Sequence, residues 1–252
     1  MDAVEAGAKV IQQYYHTRFR ITHKEGINNL VTEADHESEK AIFEVIRKTY
    51  PDHYLLSEEK GAVKTESKYK WIIDPLDGTV NFAHGIPICC VSIGLEIEGR
   101  VQMGAVYNPF MNELFFTEKG KGAFLNGEKI AVSNQQEVMR SCLATGFPYV
   151  YPEAGKGPAD TFGALVKKGI PVRRLGSAAI DLCWVAAGRF DGYYEYSLNP
   201  WDSAAGALIV NEAGGKVTDF EGKDYNIYEN GLMSSNGLIH DDLLKVVNEH
   251  EF

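Results

Sequence analysis

The sequence lacks the features that mark several specialised classes of protein. Its 252 residues include only 4 cysteines, and no two of them have Cys-x-x-Cys spacing. Cys89, Cys90, Cys142 and Cys183 all stand in apolar contexts. We therefore expect free, buried thiols in a reducing compartment rather than disulfides or a zinc site. The 7 histidines form no ligand cluster in the sequence either.

Positive charge and long apolar runs are also scarce. Lys and Arg number 25 against 35 Asp and Glu, which gives a formal net charge of -10. No run of Lys and Arg offers the basic patch on which nucleic-acid affinity depends. No stretch of about eighteen apolar residues could cross a membrane, and residues 1–15 contain no apolar signal segment. These absences predict a cytoplasmic protein without nucleic-acid or membrane partners.

The residues that are present predict mixed helices and strands. A content of 44% hydrophobic and 24% charged residues can bury the core of one large domain or of two closely joined halves. Helical spacing predicts amphipathic helices over residues 2–18 and 34–49. Residues 89–132 contain short apolar runs separated by Gly and Asn turns, which predicts an antiparallel meander.

Beyond Pro158 the pattern alternates between helix and strand. Helices are predicted over residues 160–168, 177–187, 200–213 and 240–248, and strands over residues 172–175, 192–196 and 232–235. The whole pattern predicts an α/β (α+β) fold. We expect a single domain over residues 1–252, built from two packed halves of roughly residues 1–140 and 141–252.

Two aspartates follow an apolar strand in WIIDPLDGTVNF, residues 71–82. Asp74 and Asp77 precede Gly78-Thr79, where the pattern predicts the start of a helix. Free backbone N–H groups at a helix start suit a phosphate, and a divalent cation such as Mg²⁺ joins carboxylates to phosphate oxygens. The alternative is a structural turn, in which Asp74 caps Leu76 or Asp77 and Asp77 caps the helix.

Acidic residues recur in two other segments. Glu58 and Glu59 end the apolar run of YLLSEEKG, residues 54–61, although a solvated acidic turn is the usual meaning of such a pair. Asp202 lies in the first turn of a predicted small-residue helix in NPWDSAAGALIVNEAGG, residues 199–215. In the structural alternative, Asp202 would only interact favourably with the helix dipole, which contributes about 0.3–1 kcal/mol of stability. Partial burial beside a close-packed helix would be costly without a partner such as a metal ion.

The segments LSEE, WIIDPLDGTVNF, GSAA and NPWDSAAGALIVNEAGG occur in this order along the chain. Together they resemble the inositol monophosphatase family of Mg²⁺-dependent, lithium-sensitive phosphatases, and the similarity runs from Lys24 to the C-terminal helix. The resemblance implies a layered α-β-α-β-α sandwich of the inositol monophosphatase/fructose-1,6-bisphosphatase type. It also implies two or three Mg²⁺ ions, a small phosphorylated substrate and a homodimer.

The resemblance also assigns metal ligands. It implies a first metal ion on Glu58, Asp74 and the Leu76 carbonyl, and a second on Asp74, Asp77 and Asp202. A third, weaker site would lie near Glu58.

The same resemblance assigns substrate contacts and the residues behind them. Gly78 and Thr79 would bind phosphate through backbone N–H groups, and Ala178 and Glu195 would contact substrate hydroxyls. Asp77 and Asp202 are also implied to contact the substrate. Asp35 would pair with the Thr79 hydroxyl, although residues 32–35 also fit a helix capping box. Lys24 matches a family lysine on a mobile loop.

These assignments predict hydrolysis of a small phosphate monoester by metal-activated water in an in-line displacement, with Glu58, Asp35 and Thr79 as catalytic residues. Inositol-1-monophosphate is the first choice of substrate, because the Glu195 carboxylate can accept hydrogen bonds from polyol hydroxyls. Fructose-1,6-bisphosphate, histidinol phosphate and 3'-phosphoadenosine 5'-phosphate stay open as alternatives. A metal-binding scaffold protein without turnover is the alternative outside enzymes.

Overall fold

The computed structural model describes residues 1–23, 30–148, 157–229 and 231–248. Seven α-helices lie within these ranges: α1 (Asp2–Tyr14), α2 (Glu33–Thr49), α3 (Thr79–Ala83), α4 (Pro158–Lys167), α5 (Ala178–Ala186), α6 (Pro200–Glu212) and α7 (His240–Asn248). The strands of the first half are β1 (Ile21–His23), β2 (Leu30–Thr32), β3 (Tyr54–Ser57), β4 (Gly61–Val63), β5 (Tyr69–Asp77), β6 (Cys90–Ile97), β7 (Arg100–Asn108), β8 (Glu113–Glu118), β9 (Ala123–Leu125) and β10 (Glu128–Ile130). Those of the second half are β11 (Leu143–Thr145), β12 (Val172–Arg173), β13 (Gly192–Glu195), β14 (Lys216–Thr218) and β15 (Leu232–Ser235).

Two sheets organise the chain. The larger sheet has eight strands in the order β10-β9-β8-β7-β6-β5-β3-β4, and the smaller has five in the order β12-β11-β13-β15-β14. Strands β6 to β10 pair antiparallel in succession, which confirms the predicted meander. The larger sheet uses strands between residues 54 and 130 and the smaller sheet strands between residues 143 and 235, while the division of the domain near residue 140 stays a prediction.

Alternation along the strands places helices on both faces of the larger sheet. Ile73 packs in the cluster that α1 and α2 form with this sheet, whereas its neighbour Ile72 packs against Ala204 of α6. Helices α5 and α6 lie between the two sheets, and α4 and α7 contact the smaller sheet through a third cluster. The layers therefore run α-β-α-β-α, as predicted.

The element boundaries follow local chemistry. The helix predicted over residues 2–18 ends at Tyr14, because Tyr15 is extended and His16 has a positive φ of 58°. The strand predicted over residues 172–175 includes only Val172–Arg173. Helix α4 begins two residues earlier than predicted, at Pro158, whose fixed φ suits the first turn of a helix. No described helix is both long enough and apolar enough to span a membrane.

Glycines let α6 lie directly on the larger sheet. A Cβ added to Gly104 in β7 would stand 2.9 Å from the Ala205 backbone oxygen, and one added to Gly94 in β6 would stand 3.1 Å from the Ala204 Cβ. Backbone atoms cannot rotate away as a flexible side chain can. Because α6 begins beside the cavity described below, this close approach also fixes the position of Asp202.

We expect Gly104→Ala to lower the free energy of unfolding by about 1–3 kcal/mol, because the methyl group would overpack against the backbone of α6. Chemical denaturation measures this change. Gly163→Ala in α4 is the control: its added Cβ meets nothing within 4 Å, so it should be neutral or stabilising by about 0.5–1 kcal/mol. A Gly104→Ala protein as stable as the wild type would show that α6 is not held this tightly.

Candidate active site

The ends of several elements meet around a cavity of about 340 Å³ between the two halves of the chain. Nine of the ten residues predicted for the site line it: Glu58, Asp74, Leu76, Asp77, Gly78, Thr79, Ala178, Glu195 and Asp202. The tenth, Asp35, is fully buried behind Thr79. Lys24 lies outside the described residues. The structure thus brings together residues that are up to 144 positions apart in the sequence, from Glu58 to Asp202.

Strand β5 carries both aspartates of the central motif into the cavity. The pairing of β5 with β6 shifts register between Asp74 and Asp77. Asp74 Oδ1 accepts a hydrogen bond from the Leu76 N–H at 3.0 Å, so the structural turn considered as an alternative is present. It uses one carboxylate oxygen of Asp74, and a turn and a metal site are therefore compatible at this residue.

Glycine is the only residue type that fits at position 78, between β5 and α3. It has a φ of 88° and is the N-cap of α3. A Cβ at this position would stand 2.8 Å from the Ile88 backbone oxygen and 3.2 Å from the Cys89 Cβ. Because the first N–H groups of a helix have no partner within it, this turn leaves donors beside the two aspartates.

Asp77 joins the two halves of the chain. Its Oδ2 atom accepts hydrogen bonds from Ser177 Oγ at 2.6 Å and from the Ala179 N–H at 2.8 Å, both at the start of α5. The alternative that Asp77 caps α3 is wrong, because Gly78 is the N-cap of that helix and no side chain caps it. Asp77 instead accepts hydrogen bonds at the N-terminus of α5, in the other half of the chain.

Asn81 makes a second connection between the halves. Its Nδ2 atom donates to the Ile88 and Leu175 carbonyls, each at 2.7 Å, and Leu175 precedes the Gly176-Ser177 segment that lines the cavity. Sequence reasoning missed this role, and also that of Ser177. Both residues lay inside quoted motifs, but nothing in the sequence showed which distant backbone groups they would reach.

Thr79, which lines the cavity, is hydrogen-bonded to the buried Asp35. Thr79 Oγ1 lies 3.0 Å from Asp35 Oδ1 and 3.0 Å from the Leu76 carbonyl oxygen, so its single proton has two possible acceptors. Asp35 Oδ2 accepts from the Thr32 N–H at 2.7 Å and from Thr32 Oγ1 at 2.6 Å. Asp35 therefore belongs to the capping box of α2 and also contacts Thr79, so both predicted roles coexist in the geometry. Burial raises the pKa of Asp35 to about 7, although the bonds from Thr32 oppose the shift.

Asp202 is the third residue of α6, and its Oδ2 accepts from the Asn199 N–H at 2.6 Å. The helix-terminal role considered for it is thus present as well. The other carboxylate oxygen takes no part in this bond, and the residue lines the cavity.

Glu195, at the end of β13, also lines this cavity. The Tyr193 hydroxyl donates to Glu195 Oε2, and the carboxylate lies over Gly146, where an added Cβ would stand 2.0 Å from it. Gly146 is therefore required for this position of Glu195, and sequence reasoning missed it because a glycine in TGFPY reads as an ordinary turn residue. Burial raises the pKa of Glu195 to about 7, against the hydrogen bond from Tyr193.

Negative charges accumulate where the candidate metal ligands line the cavity. Burial, followed by the charges of Glu58, Asp77 and Asp202, holds the pKa of Asp74 well above its usual range. Burial and Glu58 also raise the pKa of Asp202, and the pKa of Asp77 is raised to about 6. No described Lys or Arg forms an ion pair with any of these three aspartates. Such a cluster is costly unless a cation compensates it.

The donor set fits Mg²⁺. All the candidate ligands are oxygen atoms, which hard divalent cations prefer. Within the described ranges, no three His, Cys, Asp or Glu side chains already enclose a point that could hold a metal ion. Mg²⁺ does not need such a cage, because it keeps several waters and is commonly held by one or two carboxylates together with substrate phosphate. Carboxylates that line an open cavity are consistent with this mode of binding.

The layered fold and its carboxylate-lined cavity are those of the metal-dependent phosphatase class. The chain belongs to the inositol monophosphatase family, whose model matches residues 1–251. The family is Mg²⁺-dependent and acts on small phosphorylated substrates.

Individual relatives differ in what their names describe. The chain is 44% identical over 247 residues to the Nus factor SuhB of Haemophilus influenzae, covering 97% of this chain and 92% of that protein. It resembles the solved inositol monophosphatase of Anabaena with a TM-score of 0.87 and 41% identity, covering 97% and 92% of the two chains. A solved inositol monophosphatase/NADP phosphatase in complex with Mg²⁺ and phosphate has a TM-score of 0.83 and 27% identity, with coverage of 96% and 90%.

The raised pKa values predict how metal and pH affect stability. The native metal-free protein binds more protons than the unfolded chain above about pH 4, so these aspartates reduce its stability as the pH rises through their native pKa values. Mg²⁺ binds the deprotonated carboxylates, so the rise in Tm that it causes should increase from about pH 5 to about pH 8. Thermal denaturation with EDTA or with Mg²⁺ measures both effects.

Asp74→Asn tests more sharply whether the buried aspartates lower stability without metal and whether Mg²⁺ compensates for them. It removes a buried negative charge, so at about pH 8 the variant in EDTA should melt above the wild type, while its response to Mg²⁺ should be largely lost. Asp241→Asn changes an exposed aspartate of α7 that pairs with Lys216, so it should alter the Tm in EDTA only slightly and leave the response to Mg²⁺ unchanged. A lower Tm for Asp74→Asn in EDTA, with a normal response to Mg²⁺, would contradict the electrostatic interpretation.

Proposed function

We propose that the protein hydrolyses a small phosphate monoester in the presence of Mg²⁺, with inositol-1-monophosphate as the first substrate to test. The observation that carries this proposal is the convergence of Glu58, Asp74, Asp77 and Asp202 on one cavity beside the Gly78-Thr79 turn. A phosphate dianion and these carboxylates would repel one another, so they can share the cavity only with cations between them.

The donor set suggests how two or three Mg²⁺ ions would be held. Glu58, Asp74 and the Leu76 carbonyl would hold the first, and Asp74, Asp77 and Asp202 the second. When bound, the ions would neutralise phosphate charge, lower the pKa of a water and stabilise the leaving oxygen. The hydrogen bond from the Leu76 N–H orients the Asp74 carboxylate for this role.

Thr79 and Asp35 would orient the attacking water and accept its proton. Coordination of a metal ion by the Leu76 carbonyl would withdraw electron density from that oxygen and weaken it as an acceptor, which favours Asp35 Oδ1, at 3.0 Å, as the acceptor of the Thr79 hydroxyl proton. A carboxylate with a pKa of about 7 is well matched to accept a proton near neutral pH. The N–H groups of Gly78 and Thr79 would hold the phosphate.

The part of the cavity around Glu195 would hold the alcohol portion of the substrate. Glu195 is fixed by the Tyr193 hydroxyl and by the space above Gly146, and Ala178, at the start of α5, lines the same cavity. A carboxylate held in place in this way can accept hydrogen bonds from adjacent hydroxyls of a polyol. This arrangement supports inositol or sugar phosphates as substrates over simple aryl phosphates.

The direct test is phosphate release from four compounds: inositol-1-phosphate, fructose-1,6-bisphosphate, histidinol phosphate and 3'-phosphoadenosine 5'-phosphate. We expect activity with Mg²⁺, none with EDTA, and inhibition by lithium as the family resemblance implies. Inositol-1-phosphate should rank among the best by kcat/KM, and a different ranking would replace it as the proposed substrate. Undiminished release in EDTA would contradict the metal-dependent mechanism.

Variants of Thr79 and Asp35 test the proposed proton path. Thr79→Ala keeps the backbone N–H but loses the hydroxyl, so kcat should fall by ~10²–10⁴-fold with little change in KM or Mg²⁺ affinity. Asp35→Asn should resemble it, and the double variant should be far from additive because the two residues act as one unit. Thr79→Ser, which keeps a hydroxyl, should retain most of the wild-type activity.

The effect of Asp35→Asn on the capping box of α2 has to be distinguished from its effect on catalysis. Asp160→Asn weakens a comparable cap at the start of α4, where Asp160 Oδ2 accepts from the Gly157 N–H at 2.8 Å. It should cost about 1 kcal/mol of stability and leave kcat unchanged. If Asp35→Asn behaves in the same way, with normal kcat, Asp35 is only a capping residue and the proposed proton path is wrong.

The name of the Haemophilus influenzae relative supports a second candidate function. A protein of this fold could act as a Nus factor through macromolecular contacts, with or without turnover. Asp74→Asn separates the two candidates, because it should abolish hydrolysis and leave a purely binding function intact. The cytoplasmic location and the homodimer stay predictions, and sedimentation analysis would test the second.

A further inference from the structure

The face of α2 that packs against the core begins with polar residues. Its buried positions include 35, 38, 39, 42, 43 and 46, which share one helix face. The first three are Asp35, Ser38 and Glu39, and each is 0% exposed. A buried polar or charged group is costly unless it is hydrogen-bonded. The partners of these three side chains therefore show what this end of α2 does.

Two of the three side chains contact the segment that contains the central aspartates. Asp35 accepts a hydrogen bond from Thr79, as described above. Ser38 Oγ donates to the Pro75 carbonyl at 2.8 Å, and Pro75 directly follows Asp74. The start of α2 therefore supports the candidate site along residues 74–79.

Glu39 contacts the turn that carries Glu58. Its Oε1 atom accepts hydrogen bonds from Ser57 Oγ and from the Lys60 N–H, the second at 3.0 Å. One carboxylate oxygen thus joins both sides of the turn, and Glu58 lies between the two residues that it holds. The Oε2 atom lies 3.6 Å from Lys60 Nζ, and this ion pair partly compensates the buried charge.

Strand β5 fixes the backbone of Glu58 from the other side. Strands β3 and β5 are parallel neighbours with Ser57 opposite Ile73, and the Glu58 N–H donates to the Ile73 carbonyl at 3.2 Å. Asp74 directly follows Ile73, and both Glu58 and Asp74 line the cavity. Strand pairing therefore sets where the turn begins, and Glu39 sets the path of the turn beyond that point.

We propose that Glu39 is a positioning residue for the first metal site: it fixes the turn that carries Glu58, so that the Glu58 and Asp74 carboxylates can bind one Mg²⁺ ion together. This inference rests on the proposed function. Glu39 is fully buried and is not among the described residues that line the cavity, so it acts through Glu58. Carboxylate ligands depend on neighbouring groups for their orientation, and loss of such a neighbour typically weakens metal binding by ~10–100-fold.

Two other roles for Glu39 make different forecasts. If Glu39 only stabilised the fold, its removal would lower the Tm and leave Mg²⁺ affinity unchanged. If its negative charge attracted the cation, Glu39→Gln would weaken Mg²⁺ binding as much as Glu39→Ala, and removal of the Lys60 ammonium would strengthen it. In the positioning role, the side-chain carbonyl of Glu39→Gln still accepts from Ser57 and Lys60, so Glu39→Ala weakens binding and Glu39→Gln does not.

The experiment measures the Mg²⁺ affinity of metal-free protein by calorimetric titration. Glu39→Ala leaves the donors of the turn without their acceptor and should weaken Mg²⁺ binding by ~10–100-fold. Glu39→Gln and Lys60→Met should each change the affinity by less than about 3-fold, because the hydrogen bonds of the turn are kept. Ile46→Ala is the matched control: it truncates an apolar residue on the same face of α2, so it should lower the Tm in EDTA and leave Mg²⁺ affinity unchanged.

Double variants test whether Glu39 acts through Glu58. On a Glu58→Gln background, Glu39→Ala should cause little further loss of Mg²⁺ affinity, because the ligand that it positions is already impaired. On an Asp202→Asn background, which alters the second metal site, Glu39→Ala should cause its full loss.

Hydrogen exchange at the Lys60 amide gives a measurement that needs no metal. In EDTA this exchange should be faster in Glu39→Ala than in Glu39→Gln or in the Ile46→Ala control, because the amide has lost its acceptor. If Glu39→Ala does not fold, Ser57→Ala takes its place. It removes one of the two donors to Glu39, so it should weaken Mg²⁺ binding in the same direction by a smaller factor.

The proposal would be overturned by unchanged Mg²⁺ affinity in Glu39→Ala, or in Ser57→Ala where that variant replaces it. Equal losses in Glu39→Ala and Glu39→Gln, full additivity on the Glu58→Gln background, or a wild type that binds no Mg²⁺ would also overturn it. Failure of the proposed function gives a different result, namely wild-type protein that binds Mg²⁺ but releases no phosphate. The same comparison of Mg²⁺ affinities then still decides the role of Glu39.

Discussion

The hydrogen bonds of Asp77 are the constraint on which both the fold and the site depend. One carboxylate oxygen accepts from Ser177 and from the Ala179 N–H, so the end of β5 in the first half is tied to the start of α5 in the second. Asn81 reinforces the tie by donating to carbonyls on both sides. Because the cavity lies between these elements, its shape depends on a side chain that is also assigned to a metal. A metal ion on Asp77 would therefore couple metal binding to the packing of the two halves through one carboxylate.

The same arrangement places negative charge where it is unfavourable for stability. Asp74 and Asp77 are buried, and Asp77 raises the pKa values of Asp74 and Asp202 by repulsion. A fold optimised for stability alone would replace these residues with apolar or neutral ones. Their presence together makes sense if a cation compensates the charge when the protein works. The cluster is therefore better evidence for a metal site than any single aspartate, because each aspartate also has an ordinary role in a turn or a helix terminus.

Periodicity and motifs allowed much of the fold to be predicted from the sequence, including the meander and the alternating second half. The family resemblance supplied the ten candidate site residues, nine of which line one cavity, while their roles stay predictions. What could not be predicted was long-range geometry. Gly146 matters only because Glu195 lies over it, and Asn81 only because the Ile88 and Leu175 carbonyls lie within reach of its amide. Neither role can be inferred from the neighbouring residues in the sequence. Their roles depend on which side chain arrives from elsewhere in the chain.

The candidate metal ligands and the residues around Glu195 lie on different elements of the fold. Glu58, Asp74 and Asp77 come from the half of the chain that forms the larger sheet, and Asp202 comes from α6, whereas Glu195 ends β13 of the smaller sheet and lies over Gly146. Substitutions at Glu195 or Gly146 leave the turn between β5 and α3 untouched. If the carboxylate cluster holds the metals, groups such as Glu195 would select the ester, so the substrate has to be inferred from these groups and not from the metal motif.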